Sequence, residues 1–213
     1  MNVDADAASS TNSDIYVVPI AGGEIRKITS GLGADNSPAY SPDGRMLAFR
    51  SQARAGIESD RWRLMVLDRA NGRTVSVTEG LDRWVNSFTW APDSTRLFFT
   101  SEDRGRTGVQ MVQAAGGGLR NIITGASTLD DVQFSPDGRT LVTGGIDRIV
   151  HLWNVPEFTV RTALQWREGY PFSADFSTDG RTLAVGGGNR SEPFFAGEVM
   201  LCDVATGHLR GTL

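Results

Sequence analysis

The chain has 213 residues, of which 39% are hydrophobic and 22% charged, so it is long and apolar enough for one packed domain or a short repeat array. A formal net charge of −4 argues against nucleic acid as a partner. Cys202 is the only cysteine, which excludes an internal disulfide and a cysteine metal cluster. No apolar run approaches the ~18 residues that a membrane helix needs, so we expect no membrane partner.

The first twelve residues, MNVDADAASSTN, are polar and acidic and have no apolar core. Residues 1–12 are therefore predicted to be a flexible tail rather than a secretory signal. As written, the chain is expected to be cytoplasmic, and the periplasm stays open for a longer parent protein.

Residues 13–31, SDIYVVPIAGGEIRKITSG, read as two short strands joined by a Gly-Gly turn. One phrase then occurs four times, 42 to 50 residues apart: SPDGRMLAF from 41, APDSTRLFF from 91, SPDGRTLVT from 135 and STDGRTLAV from 177. An aromatic residue precedes each copy and is expected in the core: Tyr40, Trp90, Phe134 and Phe176.

The phrase itself predicts a tight hairpin. Proline presets φ at the second position of a type I turn, aspartate bonds its own backbone, and glycine takes the left-handed position. Ser94 replaces that glycine in the second copy, where a left-handed serine costs on the order of 1 kcal/mol. We therefore expect this turn to differ in shape.

Three more strands follow each turn. The second strands begin at residues 46, 96, 140 and 182, the third contain RLMVLD, VQMVQ, IVHLWNV and VMLCDV, and the fourth are RTVSVT, LRNIIT, TVRTAL and HLRGTL. Four short strands per repeat without helical periodicity predict an all-β, β-propeller-type array of four-stranded antiparallel blades.

The predicted domain is a single propeller over residues 13–213, with four complete blades and an N-terminal half-blade. That half-blade supplies only third and fourth strands, and the chain stops after a fourth strand. The ring is therefore not predicted to close, and the open array is expected either to self-associate through its unclosed end blades or to have a mobile N-terminal segment.

Two repeat types carry a resemblance to known families. Residues 126–213 resemble WD-repeat proteins through IVHLWNV and the blade-closing DVATG, although the Gly-His dipeptide that usually opens each repeat is missing. Residues 13–125 resemble the propeller of the prolyl oligopeptidase family, especially its dipeptidyl and acylaminoacyl peptidase branch, and TolB-like repeats. The phrases that carry this second resemblance are DIYVVPIAGGEIRKIT, ESDRWRLMVLDRANG and SFTWAPDSTRLFFTSEDRG.

The residues offer little for catalysis. No Gly-x-Ser-x-Gly elbow occurs, and the two histidines, His151 and His208, read as a strand residue and an exposed turn residue. Cys202 reads as a small buried apolar residue. No metal-ligand spacing is present, so we predict no enzyme activity, no cofactor and no metal.

Long loops on one rim of a propeller are where partners bind. Two such loops lie between second and third strands, at residues 51–62 and 188–198, and the connections between blades add arginine and tryptophan, which are typical of interaction hot spots. The candidate binding residues are Arg54, Glu58, Arg61, Arg83, Trp84, Trp166, Arg190, Phe194 and Phe195.

The predicted function is therefore a non-catalytic scaffold that binds a protein or peptide. One alternative, implied by the resemblance, is a propeller fragment of a prolyl oligopeptidase-family serine peptidase that gates peptide access to a hydrolase domain absent from this chain. Another is an artificial or recombinant chimera, suggested by the change of repeat type near Gly125 and Ala126.

Overall fold

The computed structural model describes residues 10–124, 129–166, 169–188 and 197–212. These residues form eighteen β-strands and no helix. The chain divides into two compact units: Met1–Val85 with Ala114–Gly117, and Asn86–Gln113 with Gly118–Leu213. The predicted single domain over residues 13–213 stays a prediction, and the proposed change of repeat type at residues 125–126 falls outside the described residues.

The first unit contains the predicted half-blade and the first complete blade. The half-blade is a two-stranded antiparallel sheet of β1 (Tyr16–Val17) and β2 (Arg26–Lys27). Blade 1 has the strand order β3-β4-β5-β6. Its strands are β3 (Asp35–Tyr40), β4 (Met46–Ser51), β5 (Arg63–Asp68) and β6 (Thr74–Ser76). Ile15 of the half-blade packs with Leu47 and Phe49 of blade 1 in one apolar cluster, so this sheet buries a face that it could not bury alone.

The second unit contains three complete blades, each a four-stranded antiparallel sheet whose strands are neighbours in chain order. Blade 2 is β7 (Phe88–Trp90), β8 (Arg96–Asp103), β9 (Arg106–Gln113) and β10 (Arg120–Ile123). Blade 3 is β11 (Leu129–Phe134), β12 (Thr140–Gly145), β13 (Ile149–Asn154) and β14 (Thr159–Gln165). Blade 4 is β15 (Tyr170–Phe176), β16 (Thr182–Gly188), β17 (Gly197–Asp203) and β18 (Leu209–Thr212). The predicted half-blade and four complete blades are confirmed.

Apolar clusters join the faces of successive blades in this unit. Phe98 of blade 2 lies edge-on to Phe134 of blade 3, with ring centroids 4.8 Å apart. The predicted core position of Trp90 is confirmed at 6% exposure, and Phe134 is partly buried against the same cluster. Tyr40, the equivalent residue of blade 1, is 48% exposed and lies under the guanidinium of Arg69 instead.

The repeated motif forms the predicted turn through hydrogen bonds among its own residues. In blade 1 the Ser41 hydroxyl donates to Asp43 Oδ1 (2.6 Å) and accepts from the Met46 N–H (2.9 Å), while Asp43 Oδ1 also accepts from the Arg45 N–H (3.0 Å). Gly44 closes the turn at φ 70° by donating its N–H to the Ser41 carbonyl. Blades 3 and 4 repeat these bonds.

The expectation of a different turn at Ser94 is wrong. Ser94 adopts φ 60° and donates its N–H to the Ala91 carbonyl, as the glycines do in the other blades. Alanine stands here in place of the first serine, and the Thr95 hydroxyl instead donates to Asp93 Oδ1 at 2.7 Å. The turn keeps its shape because a neighbouring hydroxyl replaces the missing one.

The first strands of the three blades are linked by polar side chains. Asp131 on β11 accepts from the Ser87 hydroxyl (3.3 Å) and from the Ala174 N–H on β15 (3.1 Å). Desolvation by burial raises the pKa of Asp131, although these hydrogen bonds act in the opposite direction. Among the described residues, β1 pairs only with β2, and β18 pairs only with β17.

Candidate functional site

The loop at residues 52–62, between β4 and β5, begins with a close backbone contact. A Cβ atom at Gly33 would lie 2.4 Å from the Gln52 carbonyl oxygen, so only glycine fits at that position. The Gln52 side chain, 3% exposed, then donates Nε2 to the carbonyl oxygens of Glu58 (3.0 Å) and Asp60 (2.8 Å). One buried amide therefore ties the beginning of the loop to its far end.

Asp60 holds the middle of the loop. Its carboxylate accepts from the N–H groups of Ala53 (2.7 Å) and Arg54 (2.9 Å) and from Arg54 Nε (2.9 Å). Burial alone would raise the pKa of Asp60, but the hydrogen bonds from Arg54, Ala53 and Arg61 outweigh it and lower the pKa to about 2. The ionised carboxylate therefore organises the loop at neutral pH.

Arg61 attaches the end of this loop to the connection that follows β6. Its Nη1 donates to the Leu81 carbonyl and to the Glu79 carbonyl at 3.2 Å, and Nη2 lies 3.7 Å from the Glu79 carboxylate. Arg63 Nη1 lies 3.6 Å from the same carboxylate. Arg61 thus joins two surface segments of the first unit.

Arg50 links Trp62, at the end of the loop, to two neighbouring segments of the first unit. Its Nε donates to Asn36 Oδ1 (3.0 Å), its Nη1 donates to the Val85 carbonyl (3.4 Å), and its guanidinium lies 5.1 Å from the ring centroid of Trp62. Desolvation by burial lowers the pKa of Arg50. Arg50 therefore has a structural role next to the loop.

An open cleft of about 920 Å³ lies beside the loop within the first unit. Its lining is mostly hydroxyl and amide side chains, with Ile57 and Trp62 as the large apolar contributors. The polar residues that line it are Ser10, Thr11, Ser13, Asn36, Gln52, Glu58 and Ser59. Thr11 belongs to the predicted tail, yet its hydroxyl accepts from the Gly56 N–H at 3.0 Å. Residues 10–13 thus form one wall of the cleft.

Three of the predicted binding residues lie on this loop, but they differ in role. Arg54 is exposed but paired with Asp60, Arg61 is partly buried and bonded to the connection beyond β6, and Glu58 is exposed and lines the cleft. On the connection beyond β6, Arg83 is half-buried and Trp84 is 43% exposed. Arg190, Phe194 and Phe195 lie outside the residues that the structure describes.

Trp166 needs correction. The sequence suggested an interaction residue on a blade connection, but Trp166 is 1% exposed and belongs to the apolar cluster shared by blades 3 and 4. A Cβ at Gly187 would lie 2.6 Å from its Cζ2 atom. Gly187 lies within β16, and the absence of a side chain there makes room for the indole, so Trp166 is a core residue.

The residues that organise the cleft were not identified as such from sequence. The sequence did not single out Asp60, Gln52, Asn36 or Trp62. The sequence did contain one signal, because Asp60 follows Arg54 by six residues in a long loop, and an ion pair at this spacing can fold the loop onto itself. The backbone groups that Asp60 also binds leave no sequence signal.

Groups suited to covalent or metal chemistry are not assembled in the parts of the chain that the structure covers. His151 Nε2 lies 3.6 Å from Asp147 Oδ2 within blade 3. Burial raises the pKa of the Cys202 thiol, which opposes thiolate chemistry. Within the described ranges, no group of three or more His, Cys, Asp or Glu residues is placed to hold a metal ion.

Comparison with known proteins supports both resemblances. The family model for the WD domain, G-beta repeat, matches residues 118–154. The chain is 36% identical over 129 residues to dipeptidyl-peptidase 5 of Porphyromonas gingivalis, which covers 60% of this chain and 19% of that protein. It is 33% identical over 162 residues to dipeptidyl-peptidase 5 of Aspergillus fumigatus, covering 70% of this chain and 22% of that protein. The chain therefore spans about a fifth of the length of these relatives.

Solved structures agree on the fold. TolB from Acinetobacter baumannii superposes with a TM-score of 0.71 at 18% identity, over 95% of this chain and 49% of that one. The putative TolB from Agrobacterium tumefaciens gives 0.73 at 17% identity, over 93% of this chain and 73% of that one. The chain is built from β-propeller blades. Among the described residues, there is no helix that could cross a membrane.

Proposed function

We propose that this chain is a non-catalytic β-propeller module that binds a protein or peptide segment in the cleft beside residues 52–62. The observation that carries the proposal is the internal bonding of this loop. Asp60, Gln52 and Arg61 fix it through side-chain bonds to backbone groups, so the cleft is preformed. A preformed site avoids part of the ordering cost of binding, and hydroxyl and amide walls suit the N–H and C=O groups of a peptide.

The test is a substitution that fills the cleft without touching the bonds that hold the loop. Ser59 lines the cleft and is exposed, so Ser59→Trp should block binding while the chain stays folded. Ser30→Trp, at an exposed position of the same unit that does not line the cleft, is the matched control. Both variants and the unchanged chain would be incubated with an immobilised library of N-acetylated heptapeptides. Retention of the same peptides by Ser59→Trp would refute the proposal.

A second candidate function is favoured by the similarity to dipeptidyl-peptidase 5. In this version the chain is the propeller portion of a peptidase and controls peptide access to a hydrolase domain that these residues do not contain. Support comes from the 36% identity over 60% of the chain. A reading frame with a Gly-x-Ser-x-Gly motif, continuous with this one in genomic DNA, would favour it over a free-standing scaffold.

Both candidates predict that the chain alone does not hydrolyse peptides. Chromogenic dipeptidyl and acyl-aminoacyl substrates should give the rate of a protein-free blank. A rate that a serine-directed inhibitor abolishes would contradict the non-catalytic assignment.

A further inference from the structure

The cations around the cleft are already bound to acceptors of the same unit. The Arg54 guanidinium lies 2.8 Å from Asp60 Oδ1, Arg61 is held by Glu79 and the Leu81 carbonyl, and Arg50 by Asn36 and the Val85 carbonyl. The donors of these arginines are therefore already used within the unit. Arg54 and Arg61 lie beside carboxylates, whereas the acceptors of Arg50 are neutral and leave its charge in place.

Glu58 is the ionisable residue among those that line the cleft. Its backbone carbonyl accepts from Gln52 Nε2, which fixes the position of the residue, while its side chain is exposed. No cation in the described part of the chain forms an ion pair with its carboxylate, in contrast to Asp60 and Glu79. Among the described residues that line the cleft, Glu58 is thus a carboxylate without an ion-pair partner.

Two apolar side chains share the lining with this carboxylate. Ile57 is next to Glu58 in the chain, and the Trp62 ring is held in place by Arg50. Lysine and arginine side chains combine an apolar stem with a charged end. An apolar wall and a carboxylate in one cleft match both parts of such a side chain.

We propose that the cleft binds a positively charged side chain, lysine or arginine, of the peptide segment, with Glu58 as its counter-ion. This inference rests on the proposed function, because it names the chemistry of the segment that the module binds. Glu58 is exposed, so the preference is modest: an exposed ion pair contributes about 0.2–1 kcal/mol, which corresponds to an increase in affinity of up to about fivefold.

The experiment uses four N-acetylated, C-amidated heptapeptides, Gly-Ser-Ala-X-Ala-Ser-Gly, where X is lysine, arginine, norleucine or glutamate. Blocked termini leave the side chain at X as the only charge that varies, so a terminal ammonium cannot produce the effect. Each peptide is titrated by NMR at low ionic strength into the full chain, into Glu58→Gln, and into Glu24→Gln, which removes an exposed carboxylate of the same unit outside the cleft.

The lysine and arginine peptides should bind the unchanged chain and Glu24→Gln about 1.4-fold to fivefold more tightly than the norleucine peptide does, and added salt should reduce this ratio. Glu58→Gln should lower the ratio to one while leaving the affinity for the norleucine peptide unchanged. Equal binding of lysine and norleucine peptides by the unchanged chain, or a ratio that survives in Glu58→Gln, would overturn this inference alone. Absence of binding by all four peptides would count against the proposed function as well.

Discussion

Gly33 lies directly against the backbone of Gln52, where the cleft-forming loop begins. A Cβ atom at position 33 would approach the Gln52 carbonyl oxygen to 2.4 Å and its carbonyl carbon to 2.6 Å. A backbone neighbour cannot rotate away as a side chain can. The packing of one glycine therefore sets the position of Gln52, and through the Gln52 amide it sets the positions of Glu58 and Asp60.

Gly33→Ala should displace the loop and destabilise the chain by about 1–3 kcal/mol, the range for overpacking. Peptide binding should weaken more than the loss of stability explains, because the Gln52 bonds across the loop are disturbed. Gly31→Ala is the control, since a Cβ there meets only Asp35 Oδ2 at an ordinary 3.7 Å. Urea unfolding measures stability. Equal effects of the two substitutions would show that the contact at Gly33 does not determine the position of the loop.

Asp60→Asn should loosen the loop, because the neutral amide loses the ion pair with Arg54 and cannot accept as strongly from Ala53 and Arg54. Trypsin cleavage after Arg54 should accelerate severalfold, whereas Asp82→Asn, at an exposed position of the same unit, should leave the rate unchanged. Mass spectrometry of the fragments identifies the cleaved bond. An unchanged rate in Asp60→Asn would contradict the assigned role.

The pKa of Asp60 also predicts a pH dependence. The folded value, about 2, is below the ordinary 3.8, so the ionised carboxylate stabilises the folded chain above about pH 4. That contribution falls as the pH drops from about 4 to about 2. The difference in free energy of unfolding between the unchanged chain and Asp60→Asn should be constant from pH 5 to 7 and should shrink below pH 4. Denaturant titrations across this range would test it, and a difference that grows on acidification would contradict it.

Arg104→Asn should stabilise the chain. Arg104 and Gly105 form the two-residue connection between β8 and β9, with φ values of 52° and 76°, which is the geometry that Asn-Gly favours. Relieving the left-handed arginine should contribute about 0.5–1 kcal/mol. Arg104→Ala keeps the unfavourable conformation and should give no gain. Thermal unfolding compares the variants, and equal midpoints for asparagine and alanine would contradict the turn assignment.

The Phe98 and Phe134 rings should be energetically coupled. Phe98 is 1% exposed and lies 4.8 Å from the Phe134 ring at an interplanar angle of 77°. Phe98→Ala should cost about 3–5 kcal/mol, Phe134→Ala less because Phe134 is only partly buried, and the double mutant about 0.5–1.5 kcal/mol less than the sum. Strict additivity would show that the edge-on contact adds nothing beyond burial.

Self-association through the end sheets stays a prediction, and the structure gives it a specific test. On the N-terminal two-stranded sheet and its turn, Val18 is 55% exposed, Ile20 108% and Ile25 59%. Replacing all three with serine should reduce any concentration-dependent increase in light scattering, because exposed apolar groups favour association. Leu32→Ser, at another exposed apolar residue of the same unit (74%), is the control. A monodisperse monomer before substitution would contradict the prediction.

The sequence predicted the blades well because their signals are local. A Ser-Pro-Asp-Gly turn is closed by its own hydroxyl and carboxylate, as the bonds among Ser41, Asp43 and Met46 show. The motif is therefore enough to predict the turn. Strand order followed from the same repeat, since each strand pairs with its chain neighbour. The prediction at Ser94 was wrong because it considered only the cost of a left-handed serine; Ser94 adopts φ 60°, and the bonds from Thr95 to Asp93 hold the turn.

Only the tertiary structure decided which charged and aromatic side chains are available to a partner. Arg54 and Arg61 stay predicted binding residues, but folding pairs them with Asp60, Glu79 and the Leu81 carbonyl. Trp166 is buried against Gly187. Composition and spacing predict that a residue lies in a loop, but its partners come from segments that meet only when the blades pack. Glu58 remains as a carboxylate of the cleft lining without an ion-pair partner among the described residues, because folding pairs the neighbouring arginines with other groups.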